Sequence, residues 1–243
     1  MLIVGLAGFA ALLVASFTVG GRLFLQGLRT RRLPELMIGS AFLFVGGFPG
    51  LLMLISDLMD GGRRTGPYAD GWMLTVIHLS LLLGVTGLCV FTWRVFRADD
   101  RRGLAMFAAI EAMLLLGHLG SAVVSLEPGA SWLTFLWIGI CGRIAAYAWA
   151  VAETTREWLA ARRRCALGLT ESIVVHRMLL WAIGLGAVLA IWVHEAITVA
   201  GGGGRGSYLV ISLLGFVCAG ALWLAFFPPA FYQRRIVATG SSR

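Results

Sequence analysis

The chain has 243 residues, of which 59% are hydrophobic and only 13% charged, with a mean hydropathy of +0.86. Its formal charge of +8 comes from 20 basic residues, every one an arginine, against 12 acidic ones. A chain without lysine forms no Schiff base, which excludes covalent retinal and pyridoxal phosphate, and so much apolar sequence leaves no room for a separate soluble domain.

Seven apolar segments follow in order: Leu2 to Leu25, Leu33 to Ser56, Trp72 to Trp93, Leu104 to Leu126, Trp132 to Trp158, Val175 to Val199 and Tyr208 to Tyr232. Each has about 20 residues or more, enough at 1.5 Å per residue to cross roughly 30 Å of hydrocarbon. Lipid offers the backbone no hydrogen bonds, so long apolar runs without alternation predict helices and not barrel strands. The expected fold is an all-α integral membrane protein, one transmembrane domain over residues 1–243. The first segment has no basic leader and no small-residue cleavage site, so it reads as a retained helix.

The connections set the expected orientation. Arginines gather after segment 1 (Arg29, Arg31, Arg32), segment 3 (Arg94, Arg97, Arg101, Arg102), segment 5 (Arg156, Arg162 to Arg164) and segment 7 (Arg234, Arg235). On the other side Arg63 and Arg64 are offset by Asp57, Asp60 and Asp70, and the remaining loops carry only Glu127 and Arg205. Basic loops stay cytoplasmic. The N-terminus is therefore expected outside and the C-terminus inside, as in the cytoplasmic membrane of a bacterium. The high charge then reflects contact with anionic headgroups, and a nucleic-acid partner is not called for.

No motif with a demanding spacing occurs. Cys89, Cys141, Cys165 and Cys218 are unpaired in pattern, Gly201 to Gly204 reads as a flexible loop, and no internal repeat of the transporter kind can be aligned. In helix 2, Gly46, Gly47, Pro49 and Gly50 predict either a kink that opens an outward pocket or a close helix contact.

Ionisable residues inside the spans carry what functional signal there is, because each is costly in lipid and usually faces the bundle interior. They are His78, Glu111, His118, Arg143, His194 and Glu195, with Glu153 nearer the basic end. His78, His118 and His194 lie about 6, 8 and 5 residues from the outer ends of their helices, a common depth of roughly 8 to 12 Å. That level admits a divalent metal held by His78, His118, His194 and Glu195, a haem held by two of the histidines, or simple buried hydrogen bonding beside an interfacial belt of Trp72, Trp132 and Trp192. Near mid-membrane, Glu111 and Arg143 on adjacent helices are expected to pair, with Tyr147 a turn beyond Arg143. Glu111, His118, Arg143 and Tyr147 then form a candidate ligand site, Arg143 meeting an anionic group.

Pro229-Ala230-Phe231-Tyr232 resembles the Pro-x-x-Tyr that ends helix 7 in many seven-helix receptors, and the topology is similar to theirs. The asparagine that usually precedes the proline is absent, and Thr92-Trp93-Arg94 stands where those receptors have Asp-Arg-Tyr. The likeness to microbial rhodopsins ends at the missing lysine. The leading expectation is a receptor-like or sensory bundle that binds a small or lipidic ligand in an outward pocket and couples to a cytoplasmic or membrane partner. A metal- or haem-dependent membrane enzyme and an accessory subunit of a membrane complex remain alternatives.

Overall fold

A computed structural model describes residues 2–59, 71–124, 133–201, 208–230 and 232, with the side chains of 2–6, 56–59, 71 and 208 left aside. Asp57, Asp60, Arg63, Arg64, Asp70, Glu127, Trp132, Arg205, Arg234 and Arg235 thus fall outside what can be described of side chains. Seven helical rods are present: α1 (Leu2–Thr30), α2 (Leu33–Ala41, a π-helical turn Phe42–Gly47, then Phe48–Met59), α3 (Gly71–Phe96), α4 (Arg101–Val124), α5 (Leu133–Ala166), α6 (Ser172–Ala200) and α7 (Tyr208–Phe226). All seven are long and apolar enough to cross a membrane. Each packs against its neighbours in the chain, α7 closes back onto α1, and α3 also touches α5. The result is a ring of helices with α3 leaning inward, the architecture of a multi-pass helical membrane protein.

Close approach between helices rests on small residues. A Cβ at Gly117 would strike the backbone of Gly139, one at Gly120 the ring of Phe135, and one at Gly142 the side chain of Leu114. These three contacts run antiparallel along α4 and α5 and bring their backbones together, which is how helices associate where lipid supplies no hydrophobic drive. Ser80, Gly84 and Gly87 do the same for α3 against α2.

The interruption of α2 has a definite cause. Pro49 has no N–H and its ring would collide with the carbonyl one turn back, so the chain admits an extra residue into the preceding turn. Phe48 accordingly donates its N–H to Leu43, five residues earlier. The Phe44 carbonyl is left with neither an α-type donor, since the Phe48 N–H is used, nor a π-type donor, since residue 49 is proline. Ser80 on α3 supplies one: its hydroxyl donates to the Phe44 oxygen at 3.0 Å. Of the two expectations for this glycine cluster, the close packing is also present, for a Cβ at Gly46 would meet Ser16 and one at Gly47 the ring of Phe17, both on α1.

At the arginine-rich end the turns are tight. Arg31 takes a left-handed φ of 54° between α1 and α2. Gly168, at φ 73°, ends α5: its N–H donates to Cys165 and that of Leu169 to Arg164, the paired bonds of a Schellman cap. Between α3 and α4, Asp100 accepts the Arg102 N–H at 2.9 Å and an Arg97 guanidinium hydrogen bond at 3.1 Å. Arg97 also donates to Glu153, which receives Arg156 as well. Glu153, 5% exposed, thereby ties α5 to the α3–α4 turn. The Glu153 carboxylate holds the Arg97 guanidinium above its ordinary range. Asp100 is held below the usual carboxylate range, chiefly by the Arg102 N–H, with Arg97 adding to it.

Two outcomes follow from these contacts. Ser80→Ala should lower stability by about 1 kcal/mol, because it strands the Phe44 carbonyl. The cost should shrink in a Pro49→Ala background, where residue 49 regains an N–H; equal costs in both backgrounds, measured by reversible unfolding in mixed micelles, would refute the account. For Asp100 a depressed folded pKa means a stabilising contribution that is complete above the unfolded value of about 3.9 and is lost as pH falls through the lower folded value. Amide exchange across residues 97–103, constant relative to the intrinsic rate from about pH 6 to about pH 4, should therefore accelerate as the pH is taken below about 4, and Asp100→Asn should remove the effect.

Candidate functional site

The periodicity of α4 gathers Ile110, Glu111, Leu114, Gly117, His118 and Ser121 on its buried face. Glu111 and His118 thus share that face, separated by Leu114. On α5 the small residues Gly139 and Gly142 meet α4, and a residue one place further along is rotated by about 100°. Arg143 therefore turns away from Glu111.

This rotation corrects the expected Glu111–Arg143 pair. Arg143, 2% exposed, lies instead with Glu195 of α6, Nη2 to Oε1 at 3.5 Å. Its guanidinium carbon sits 4.2 Å from the centre of the Trp192 ring. Glu111 accepts a 2.8 Å hydrogen bond from Thr86 on α3 and forms no ion pair among the described residues. Trp192 is also reassigned: rather than standing in an interfacial belt it packs inward over Arg143, with the buried Tyr147 ring 6.5 Å from its own. A tryptophan face beside a guanidinium in a water-poor site is a favourable cation–π arrangement. Trp72, by contrast, is exposed on the outside of the bundle.

His78 of α3 and His118 of α4 meet directly, Nδ1 to Nδ1 at 3.2 Å, with the ring centres 5.5 Å apart. Both are buried, His118 to 1% exposure. Two nitrogens at this distance require one N–H and one lone pair. In the neutral pair the histidine that donates through Nδ1 keeps a bare Nε2, and its partner carries its proton on Nε2. The dyad thus presents one donor and one acceptor on its free edges. The Nε2 edge of His118 faces α5, 3.8 Å from where a Cβ at Gly139, about one turn before Arg143, would stand.

The expected metal set is not assembled. No group of three or more metal-capable side chains forms among the described residues, so His194 and Glu195 do not complete a site with His78 and His118. Glu195 is engaged by Arg143, and its neighbour His194 is half-buried on a different part of α6. A haem held between His78 and His118 is likewise ruled out by their contact, since axial ligands must face each other across the iron and porphyrin plane.

What the site does hold is unused hydrogen-bonding capacity. Nε2 of His78, Nε2 of His118, Nε and Nη2 of Arg143 and Oε2 of Glu195 are all buried without a hydrogen-bond partner. The Arg143–Glu195 contact is therefore an ion pair without hydrogen-bond geometry. Buried polar atoms are nearly always satisfied, so unsatisfied ones on α3, α4, α5 and α6 call for an explanation.

No family model matches the chain, and neither a curated protein nor a solved structure is significantly similar to it. The class is that of a seven-helix membrane bundle with a buried polar cluster, and the site must be read from its own chemistry.

The ion pair yields a stability test. Glu195→Leu should destabilise the bundle by about 2–3 kcal/mol, because the Arg143 charge is left without a counter-charge, and adding Arg143→Met should restore most of the loss. A double variant no more stable than the single one, in the same unfolding assay, would show that the pair carries no such burden.

Proposed function

We propose that this protein is a receptor-like membrane bundle that binds a small anionic ligand at the cluster of His78, His118, Arg143 and Glu195, and that it couples occupancy to a partner through its arginine-rich loops. The observation that carries this reading is the set of buried polar atoms without partners. Arg143 supplies two free donor nitrogens, one histidine Nε2–H supplies a third, and the other Nε2 offers an acceptor. A carboxylate flanked by a hydroxyl or amine matches that set: the guanidinium takes the carboxylate, and the histidine edges take the polar neighbour.

Glu195 supports the same reading. It neutralises Arg143 when the site is empty, at a distance too long for a hydrogen bond, so an incoming carboxylate competes against a weak partner. Trp192 and Tyr147 provide an apolar wall that excludes water and strengthens the charge contact. Glu111, on the far side of Leu114, serves the α3–α4 contact through Thr86 and is left out of the site.

Orientation follows the distribution of arginine. With the basic turns on the cytoplasmic side of a bacterial inner membrane, the cluster lies in the outer half of the bundle, nearer to ligands arriving from outside.

The reading is tested by thermal melting of the purified protein against short-chain carboxylates, hydroxy acids and amino acids, each beside its uncharged amide. At least one acid should raise the melting temperature where its amide does not, with a stabilisation of about 2.7 kcal/mol at a hundredfold excess over Kd. Arg143→Ala should remove the shift. A shift that persists in that variant, or one produced equally by the amides, would overturn the proposal.

A further inference from the structure

The opposite end of the bundle contains a second site of different character. A cavity of about 550 Å³ opens among α1, α2, α3, α5, α6 and α7 at the arginine-rich end. Its size is that of a pocket for a drug-sized molecule. Four aromatic rings line it in contact with one another: Phe91 stacks on Trp181 at 5.5 Å, Trp181 meets Phe226 at 5.5 Å, and Phe96 stands edge-on to Phe91 at 6.1 Å.

The charge on its walls runs against the surroundings. Although basic residues crowd this end of the molecule, no arginine lines the cavity among the described residues, and the two ionisable ones that do are carboxylates, Glu35 of α2 and Glu157 of α5. Each carboxylate has an arginine partner that does not itself line the cavity: Arg32 lies 3.7 Å from Glu35 and is largely exposed, and Arg164, half-exposed, contacts Glu157. Such exposed pairs are weak and exchange readily for a better partner. An anionic guest would face two carboxylates with no cation on the wall among the described residues. A neutral one would gain only the apolar contact. A guest with an apolar body and a positive charge satisfies both the ring faces and the carboxylates.

We propose that this cavity is a binding site for a lipophilic organic cation, its apolar groups against Phe91, Phe96, Trp181 and Phe226 and its charge between Glu35 and Glu157. The site does not rest on the histidine–arginine cluster and stands or falls apart from it.

Tetraphenylphosphonium and tetraphenylborate have the same shape and opposite charge, and so isolate the electrostatic part. Equilibrium dialysis of the full chain in lipid nanodiscs, with empty nanodiscs subtracted, should show saturable binding of tetraphenylphosphonium at one site per chain. Tetraphenylborate should neither saturate nor displace it. The paired change Glu35→Gln and Glu157→Gln should weaken binding at least tenfold in protein that elutes and melts like the parent. Thr154→Trp, which fills the cavity and leaves both carboxylates, should abolish it and gives a reading even if the paired variant does not fold. Absence of saturable tetraphenylphosphonium binding, equal binding of tetraphenylborate, or undiminished affinity in the folded variants would overturn the proposal. Displacement of the phosphonium by phosphatidylglycerol, without effect of the carboxylate changes, would instead assign the cavity to an anionic lipid chain.

Discussion

Hydrocarbon accepts no hydrogen bond, and most of the internal arrangement of this bundle follows from that constraint. Hydroxyls inside the spans fold back onto their own helices, as Thr92 does to Leu88 and Thr154 to Ala150. Where a proline removes a backbone donor, Ser80 reaches across from another helix to supply one. The charge of Arg143, carried inside, meets an opposite charge and an aromatic face in Glu195 and Trp192. Some buried polar atoms stay unmatched all the same, among them the indole N–H groups of Trp93, Trp149 and Trp192, Glu111 Oε1 and Ser121 Oγ. The free edges of His78 and His118 and two guanidinium nitrogens of Arg143 belong to the same set.

Small residues make this possible. The backbone contact of Gly117 with Gly139 brings α4 and α5 close enough for the rest of their facing sides to be set, and Gly84 brings α3 against the π-turn of α2. The histidine dyad sits between these two seams, one imidazole from each of α3 and α4. Its geometry is thus set by the glycine seams on either side of it, Gly117 being the residue next to His118, together with the packing of Leu114 into the notch at Gly142.

The spans themselves were legible because the lipid requirement writes length and apolarity into consecutive residues. Their ends were less so: α5 runs on to Ala166 and α6 begins at Ser172, several residues past the apolar limits, because residues such as Arg162 to Arg164 are compatible with helix outside the hydrocarbon. Depth could be counted from the ends, and His78 and His118 do meet. Rotation could not be counted. One residue turns a helix face by about 100°, which sent Arg143 to Glu195 and left Glu111 to Thr86. The glycines that set the rotation were visible, but which of them faced which neighbour depended on a helix order that a single sequence does not carry. Trp192 was misread for the same reason, since a tryptophan near a helix end suits the interface until a guanidinium beneath it offers more. The aromatic cavity at the basic end escaped notice because its rings come from three separate helices with no common spacing.

Helix α5 is 34 residues long, about 51 Å at 1.5 Å per residue, against a hydrocarbon layer of roughly 30 Å. Arg143 occupies its interior stretch and Arg162 to Arg164 its far tip, about 30 Å apart along one continuous rod. The Schellman cap at Gly168 ends that rod cleanly, and the Glu153 contact with Arg97 ties it to the α3–α4 turn at a point between. Displacements of the two arginine sites are therefore linked through one rigid body. A tilt of about 5° around Glu153 swings the tip by somewhat more than 1 Å for the roughly 15 Å beyond it, and moves Arg143 by a comparable amount in the opposite sense.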